Sequence, residues 1–192
     1  MFRLDELKAT LMWCLIGLLF SCSREEEQPF ANPTQIDEYF SIIAFLEEEI
    51  PKLEEAEVTK VIEINGRNER MVSDFTEEGW WEELDVFYQA DINKAALSAA
   101  YTTEDDGDRI IHRLKEGEKA PVRELAVDKR DGKVSRVYFL SKKENLFYTS
   151  ETSGTIQMDP NANRIAAYHI RGKQKVWFIP YNEMEVAAEV RR

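Results

Sequence analysis

The apolar positions of this chain change period three times. From Leu11 to Phe20 they run without a break and without a charge. At about 10–12 residues the run is too short to cross a ~30 Å hydrocarbon core as a helix, and it has the length of a signal-peptide h-region. From Ile36 the spacing becomes three and four: Ile36, Tyr39, Ile43, Leu46, Ile50 and Leu53, widened by Phe40. This predicts an amphipathic helix of roughly 20 residues. Asn32 would cap it, Pro33 would take the first helical position and Gln35 would close a capping box. Glu47, Glu48, Glu49, Glu54 and Glu55 fall mostly on its wet side, and Pro51 should kink or restart it near Ile50. A coiled-coil seam is the alternative, but the stripe lasts under three heptads. Val58–Ile64 and Arg67–Val72 then flank Asn65-Gly66, the turn pair that accepts positive φ at both positions, and predict a β-hairpin. Trp80, Trp81, Leu84, Phe87 and Tyr88 return to helical spacing behind a second capping box, Asp74 with Glu77. Adjacent tryptophans stand ~100° apart on a helix, so one faces the core. The other is a candidate for a ligand groove or a membrane interface, against edge-of-core packing.

After Asn93 short alternating segments follow: Leu97–Thr103, Arg109–Lys115, Val122–Asp128, Lys133–Ser141, Leu146–Met158, Arg164–Arg171 and Lys173–Ile179. Asp131-Gly132, Lys143-Glu144-Asn145, Asp159-Pro160-Asn161 and Arg171-Gly172 supply turns. Connections this short force antiparallel neighbours. Val134–Leu140 and Val176–Ile179 are apolar on both faces and predict central strands covered on both sides. Gly154 suggests a bulge or bend, and Pro180 the end of a strand or an edge. The fold class expected is α+β: two amphipathic helices packed on a curved, mostly antiparallel β-sheet, a meander, with the early hairpin at one edge.

The first apolar run ends in Leu19-Phe20-Ser21-Cys22. This resembles the bacterial lipobox, which implies a lipidated Cys22, cleavage before it and a membrane anchor. A plain secretory signal, or a buried helix ending in Cys, are the other readings. Glu25, Glu26 and Glu27 resemble the acidic surface-export signal of Bacteroidota lipoproteins, against an ordinary solvated tether. Residues 37–101, with Ala90-Asp91-Ile92-Asn93-Lys94 among them, look like a group of short uncharacterised lipoproteins of that phylum. The organisation expected is a signal peptide over 1–21, an acidic tether over 22–31 and a single domain over 32–192. The implied place is the outer membrane, lipid-anchored, at the cell surface or facing the periplasm.

Charge and cysteine content narrow the chemistry. The chain carries a net charge of −12 over 192 residues. Residues 22–108 hold 24 acidic and 6 basic side chains, and residues 109–143 hold 5 acidic and 11 basic. The whole would repel nucleic acid. The only cysteines are Cys14 and Cys22. One would leave with the signal and the other would carry lipid, which leaves no thiol for catalysis or metal. No phosphate loop, zinc-protease or nucleophile-elbow motif occurs. His112 shares a strand face with Ile110 and Leu114 and reads as a packed histidine. With His169 it could share a proton or metal only if their strands were neighbours. Glu104, Asp105, Asp106 and Asp108 around Gly107 are the metal candidates, without the spacing of a twelve-residue calcium loop and set against a solvated turn. Glu77-Glu78 and Glu82-Glu83 are acid/base candidates set against a wet helix face.

Three functions follow. The first is a non-catalytic envelope lipoprotein that binds an envelope protein or polymer. The second is a carrier of a lipid or other hydrophobic ligand, since a sheet with two helices laid in it resembles the outline of periplasmic lipoprotein carriers; Trp80 or Trp81 would line its cavity. The third is a hydrolase using surface carboxylates. No cofactor is expected.

Overall fold

The computed structural model describes residues 35–191. Nine strands form one antiparallel sheet in the order β2-β1-β9-β8-β7-β6-β5-β4-β3. They are β1 (Glu57–Ile64), β2 (Arg67–Asp74), β3 (Tyr101–Asp105), β4 (Arg109–Leu114), β5 (Val122–Arg130), β6 (Lys133–Glu144), β7 (Tyr148–Asp159), β8 (Arg164–Val176) and β9 (Asn182–Arg191). From β3 to β9 the path is a meander. The early hairpin β1–β2 then joins through β9, with Val58 opposite Val190 and Ile64 opposite Met184. The hairpin turns as its sequence predicts, with Asn65 at φ 50° and Gly66 at φ 80°. Asp131-Gly132 does the same between β5 and β6, at φ 53° and 75°.

The helices are short and lie on one face of the sheet. The first, α1 (Ile42–Glu49), continues into a 3-10 turn at Ile50–Leu53: Ile50 N–H still bonds Leu46 C=O, and Pro51, which has no N–H, ends the α-helical ladder there. It is not the helix of roughly 20 residues that the spacing predicts. Its cap is Ser41, whose Oγ accepts from Ala44 N–H at 3.1 Å. The residues ahead of it bend at Glu38 and Tyr39, where Asn93 holds them out of the helix. The Oδ1 of Asn93 accepts from the N–H groups of Glu38 and Tyr39, and its Nδ2 donates to Tyr39 C=O. Gln35 pairs with Lys94 across a β-bridge instead of closing a capping box; Asn32 and Pro33 lie outside the described residues. Glu49 is buried, not wet, and pairs with Lys52 at 2.6 Å. Burial raises its carboxyl pKa, while Lys52 acts in the other direction.

The second helical stretch is broken at Leu84 into α2 (Glu77–Glu83) and α3 (Asp85–Tyr88). Its cap is Thr76, because Asp74 still belongs to β2. Trp80, Leu84 and Phe87 point into the core with Ile42, Leu46, Ile50 and Leu53, against Val58, Leu125, Val137, Phe139, Ile156, Ile165 and Tyr168 of the sheet. Gly154 makes no bulge. It is small because Phe87 and Phe139 lie over it: a Cβ there would sit 2.7 Å from Phe87 Cε1. The bulge of β7–β8 falls at Gln157/Met158. Among the described residues every buried apolar side chain lies between Tyr39 and Val190, so this segment holds a core of its own.

Three further expectations fail. Most of Leu97–Thr103 is a 3-10 turn and a connection, with β3 starting only at Tyr101. Arg171-Gly172 is no turn, since β8 runs through it to Val176 and a ninth strand follows at Asn182–Arg191. Val176–Ile179 is no covered central strand: Trp177, Phe178 and Ile179 form the exposed tip between β8 and β9.

Candidate functional site

Alternation puts one half of each strand on the core and the other half on an open outer face. The register assembles that face in rows. One row reads Arg70, Val61, Ala187, His169, Thr155, Tyr138 and Ala126, each directly opposite the next on strands β2, β1, β9, β8, β7, β6 and β5. The next row carries Thr59, Glu189, Ala167, Gln157, Arg136 and Asp128. Where the small residues Ala167, Ala187 and Thr155 coincide, the face sinks into a depression of about 510 Å³ rimmed by Arg70, Arg136, Gln157, His169 and Glu189.

Each charged rim group has a distinct state. Asp128 takes Arg136 Nε at 2.7 Å and Arg109 at 3.3 Å. Glu189 is held by Arg191 at 2.7 Å. Among the described residues Arg70 has neither a hydrogen-bond nor an ion-pair partner. His169 Nε2 meets Glu185 Oε1 at 2.7 Å, and Arg171 reaches the other oxygen at 3.0 Å. These two partners, His169 foremost, hold the Glu185 carboxyl below its usual range. The depression therefore offers the Arg70 guanidinium, unpaired among the described residues, a second one fixed by Asp128, and the His169 ring beside a floor small enough for close approach. It suits a polar ligand with an anionic group.

The residues singled out from the sequence are not brought together here. Cys22 and Glu25, Glu26 and Glu27 lie outside the described residues. Trp80 is fully buried and its indole N–H bonds Leu53 C=O at 3.1 Å, so it builds core and lines no cavity. Trp81 packs at the edge, with its ring edge-on to Tyr88 at 6.2 Å. Glu104 pairs with Arg113 at 2.8 Å, Asp105 accepts from Gly107 N–H, and Asp106 accepts from the N–H groups of Asp108 and Arg109. This acidic cluster builds its own turn. Among the described residues no three His, Cys, Asp or Glu side chains are placed to hold a metal. His112 and His169 are separated by three strands and stand on opposite faces. His112 is buried. Its Nε2 accepts from Phe40 N–H at 3.2 Å, which leaves Nδ1–H for Thr103 Oγ1 at 2.8 Å. Burial holds its pKa below the ordinary value.

Glu83 is also engaged. It pairs with Lys60 at 2.7 Å and accepts from Tyr168 Oη at 2.5 Å, tying α2 to β1 and β8. Burial, then Glu83, push the Tyr168 phenol pKa far up. The grouping of Arg70, Arg136 and His169 escapes sequence reasoning because the three come from three strands and meet only through the register. The one available signal is the small outward Ala167 and Ala187 within otherwise large-residue strands.

Comparison of the chain with protein families, with curated proteins and with solved structures finds no match. Among the described residues no helix is long and apolar enough to cross a membrane.

Proposed function

We propose that the protein is a lipid-anchored envelope lipoprotein whose domain, two amphipathic helical stretches on a curved sheet, is a non-catalytic binding module. The observation that carries this is the division of the sheet. The inner face is occupied by the protein's own Trp80, Leu84 and Phe87, all without exposure, whereas the outer face keeps an open polar depression with Arg70 unpaired among the described residues. A carrier would need room where these side chains lie. The partner is an envelope protein or polymer that brings an anionic group to Arg70 and Arg136. Acylation of Cys22 provides the anchor, and two or three acyl chains hold firmly where one does not.

The anchor is tested with Cys22→Ser, which should abolish incorporation of a palmitate analogue and membrane partitioning; persistent labelling sinks it. The binding face is tested with a photo-crosslinker at Thr155 on intact cells. Reversing Arg70 and Arg136 to Glu should cut adducts about tenfold. Adducts indifferent to that reversal would place the partner elsewhere.

A further inference from the structure

The largest exposed apolar groups of the described residues are not scattered. Leu146 is 91% exposed and Phe147 63% at the tip between β6 and β7; Trp177 is 74% and Phe178 82% exposed at the tip between β8 and β9. Ile179 and Tyr181 continue the second tip. The tips are one structure, because Trp177 N–H donates to Phe147 C=O at 2.9 Å and Tyr148 lies opposite Val176. They also project. Ile170 is the last buried residue of β8, and at ~3.3 Å per residue the six positions to Val176 carry the ribbon ~20 Å past it.

The rim of this cluster is cationic in a chain of net charge −12. Lys142 and Lys173 are paired, with Glu144 and Glu183. Lys175 lies 4.8 Å from the centre of the Tyr181 ring with no carboxylate partner, and Lys143 has no partner among the described residues.

We propose that these two tips form an edge that inserts into the interface of a phospholipid bilayer. Leu146, Phe147, Trp177 and Phe178 enter the headgroup–acyl boundary, and Lys143 and Lys175 meet lipid phosphates. Three observations select a bilayer over a protein. Two narrow hairpin ends present points rather than the flat patch of ~800 Å² per partner that a specific protein interface buries. Trp and Tyr above Lys are the side chains that settle at a membrane–water boundary, with the ring in the apolar layer and the charge in water. And the chain enters the domain at the tip-facing end of the sheet. Tyr39 packs on Tyr101 at 5.5 Å, and Tyr101 opens β3 opposite Leu114. The thirteen residues from Cys22 to Gln35 span at most ~45 Å, so a bilayer holding an acylated Cys22 is within reach. The edge complements that anchor without depending on it, and an unacylated chain must show it.

The experiment uses Ser23–Arg192, which carries neither the apolar run nor an acyl site and retains the whole buried core. It is mixed with vesicles of phosphatidylcholine alone, and of phosphatidylcholine with phosphatidylglycerol. Binding is expected to both, with Trp177 emission shifted to the blue and quenched by brominated acyl chains. Replacing Trp177 and Phe178 by Ser should lower the bound fraction at least about tenfold. Replacing Leu146 and Phe147 by Ser should do the same independently. Near-UV circular dichroism should hold in both variants, since all four side chains are exposed. Lys143→Gln with Lys175→Gln should weaken binding to the anionic vesicles. Three results would overturn the proposal: binding equal in wild type and both Ser variants, binding abolished by salt and unquenched by bromolipid, or no binding with a dimer that both Ser pairs dissociate. The last would make the tips a contact between copies of this chain.

Discussion

At the scale of single residues, the buried polar groups act as fasteners. Asp91 accepts from Ile42 N–H, from Asn93 N–H and from Gln35 Nε2, so Asp91 and Asn93 together position the approach to α1. Nothing in the composition of the block Ala90–Lys94 announces a role, and its work in the structure is this fastening. His112 fastens the same approach through Phe40. Its folded pKa lies below the ordinary 6.5, chiefly through burial, with Asp105 pulling the other way. Above 6.5 the folded and unfolded chains are both neutral at this site. As pH falls through 6.5 the unfolded chain takes up a proton that the folded one refuses, and stability is lost until the depressed folded value is reached. Glu185 and Asp159, both held low, contribute stability that is present above the ordinary 4.5 and 3.8 and is lost below them, as pH falls through their lowered folded values. Melting temperatures should therefore fall between pH 7 and pH 5.5 for the wild type, and fall less for His112→Gln, which keeps an acceptor for Phe40 N–H but does not titrate. Parallel curves for the two would show that His112 is not the titrating group. That His112 is packed was legible from its face-sharing with Ile110 and Leu114. That it accepts from Phe40 was not, because 72 residues separate the two.

At the scale of elements, legibility followed how local the cause is. Asn65-Gly66 and Asp131-Gly132 fix their hairpins through backbone conformations that the two residue types themselves favour. Helix lengths are set from outside: Asn93 holds Glu38 and Tyr39 in a non-helical bend before Ser41, which a stripe of apolar spacings cannot reveal. The tip Val176–Ile179 misleads because apolarity on both faces is also what a buried strand shows. β9 does carry a strand signal, since Met184, Val186, Ala188 and Val190 alternate with Glu183, Glu185, Ala187 and Glu189, but it follows Pro180, which reads as the end of the sheet. Gly154 is a case where a tertiary contact mimics a local signal. It sits on the inner face of β7 beneath Phe87, which meets Phe139 edge-on at 5.4 Å. Gly154→Ala would drive a methyl into both rings, and such overpacking costs about 1–3 kcal/mol. Phe87→Leu removes one ring and should relieve part of this. In urea unfolding the double variant should be less destabilised than the sum of the two single changes. Strict additivity would mean that the two positions do not press on each other.

At the scale of the whole molecule, one strand decides whether the fold is a single cooperative unit. β9 is hydrogen-bonded to β8 on one side and to β1 on the other, so it is the strand through which the early hairpin joins the rest of the sheet. It also buries Ala188 and Val190 beside Val58, beneath the helices that the hairpin flanks in sequence. Lys60 of β1, fixed to Glu83 of α2 and through it to Tyr168 of β8, ties the same three regions from the inner face. Pairing β1 with β9 closes a loop of more than a hundred residues, a contact that costs entropy before it returns any stability and slows folding. A chain ending at Tyr181 would leave β1 without its inner neighbour, with Val58 uncovered and the backbone edge of β8 unpaired. Such a chain should lose the cooperative thermal transition and the near-UV signal of Trp80. Adding the peptide Asn182–Arg191 in trans should restore both, because the missing strand supplies two ladders and its own share of the core. A cooperative melt of the truncated chain, unchanged by the peptide, would show instead that the hairpin and the meander are stable apart, and that the sheet's continuity through β9 does not govern its stability.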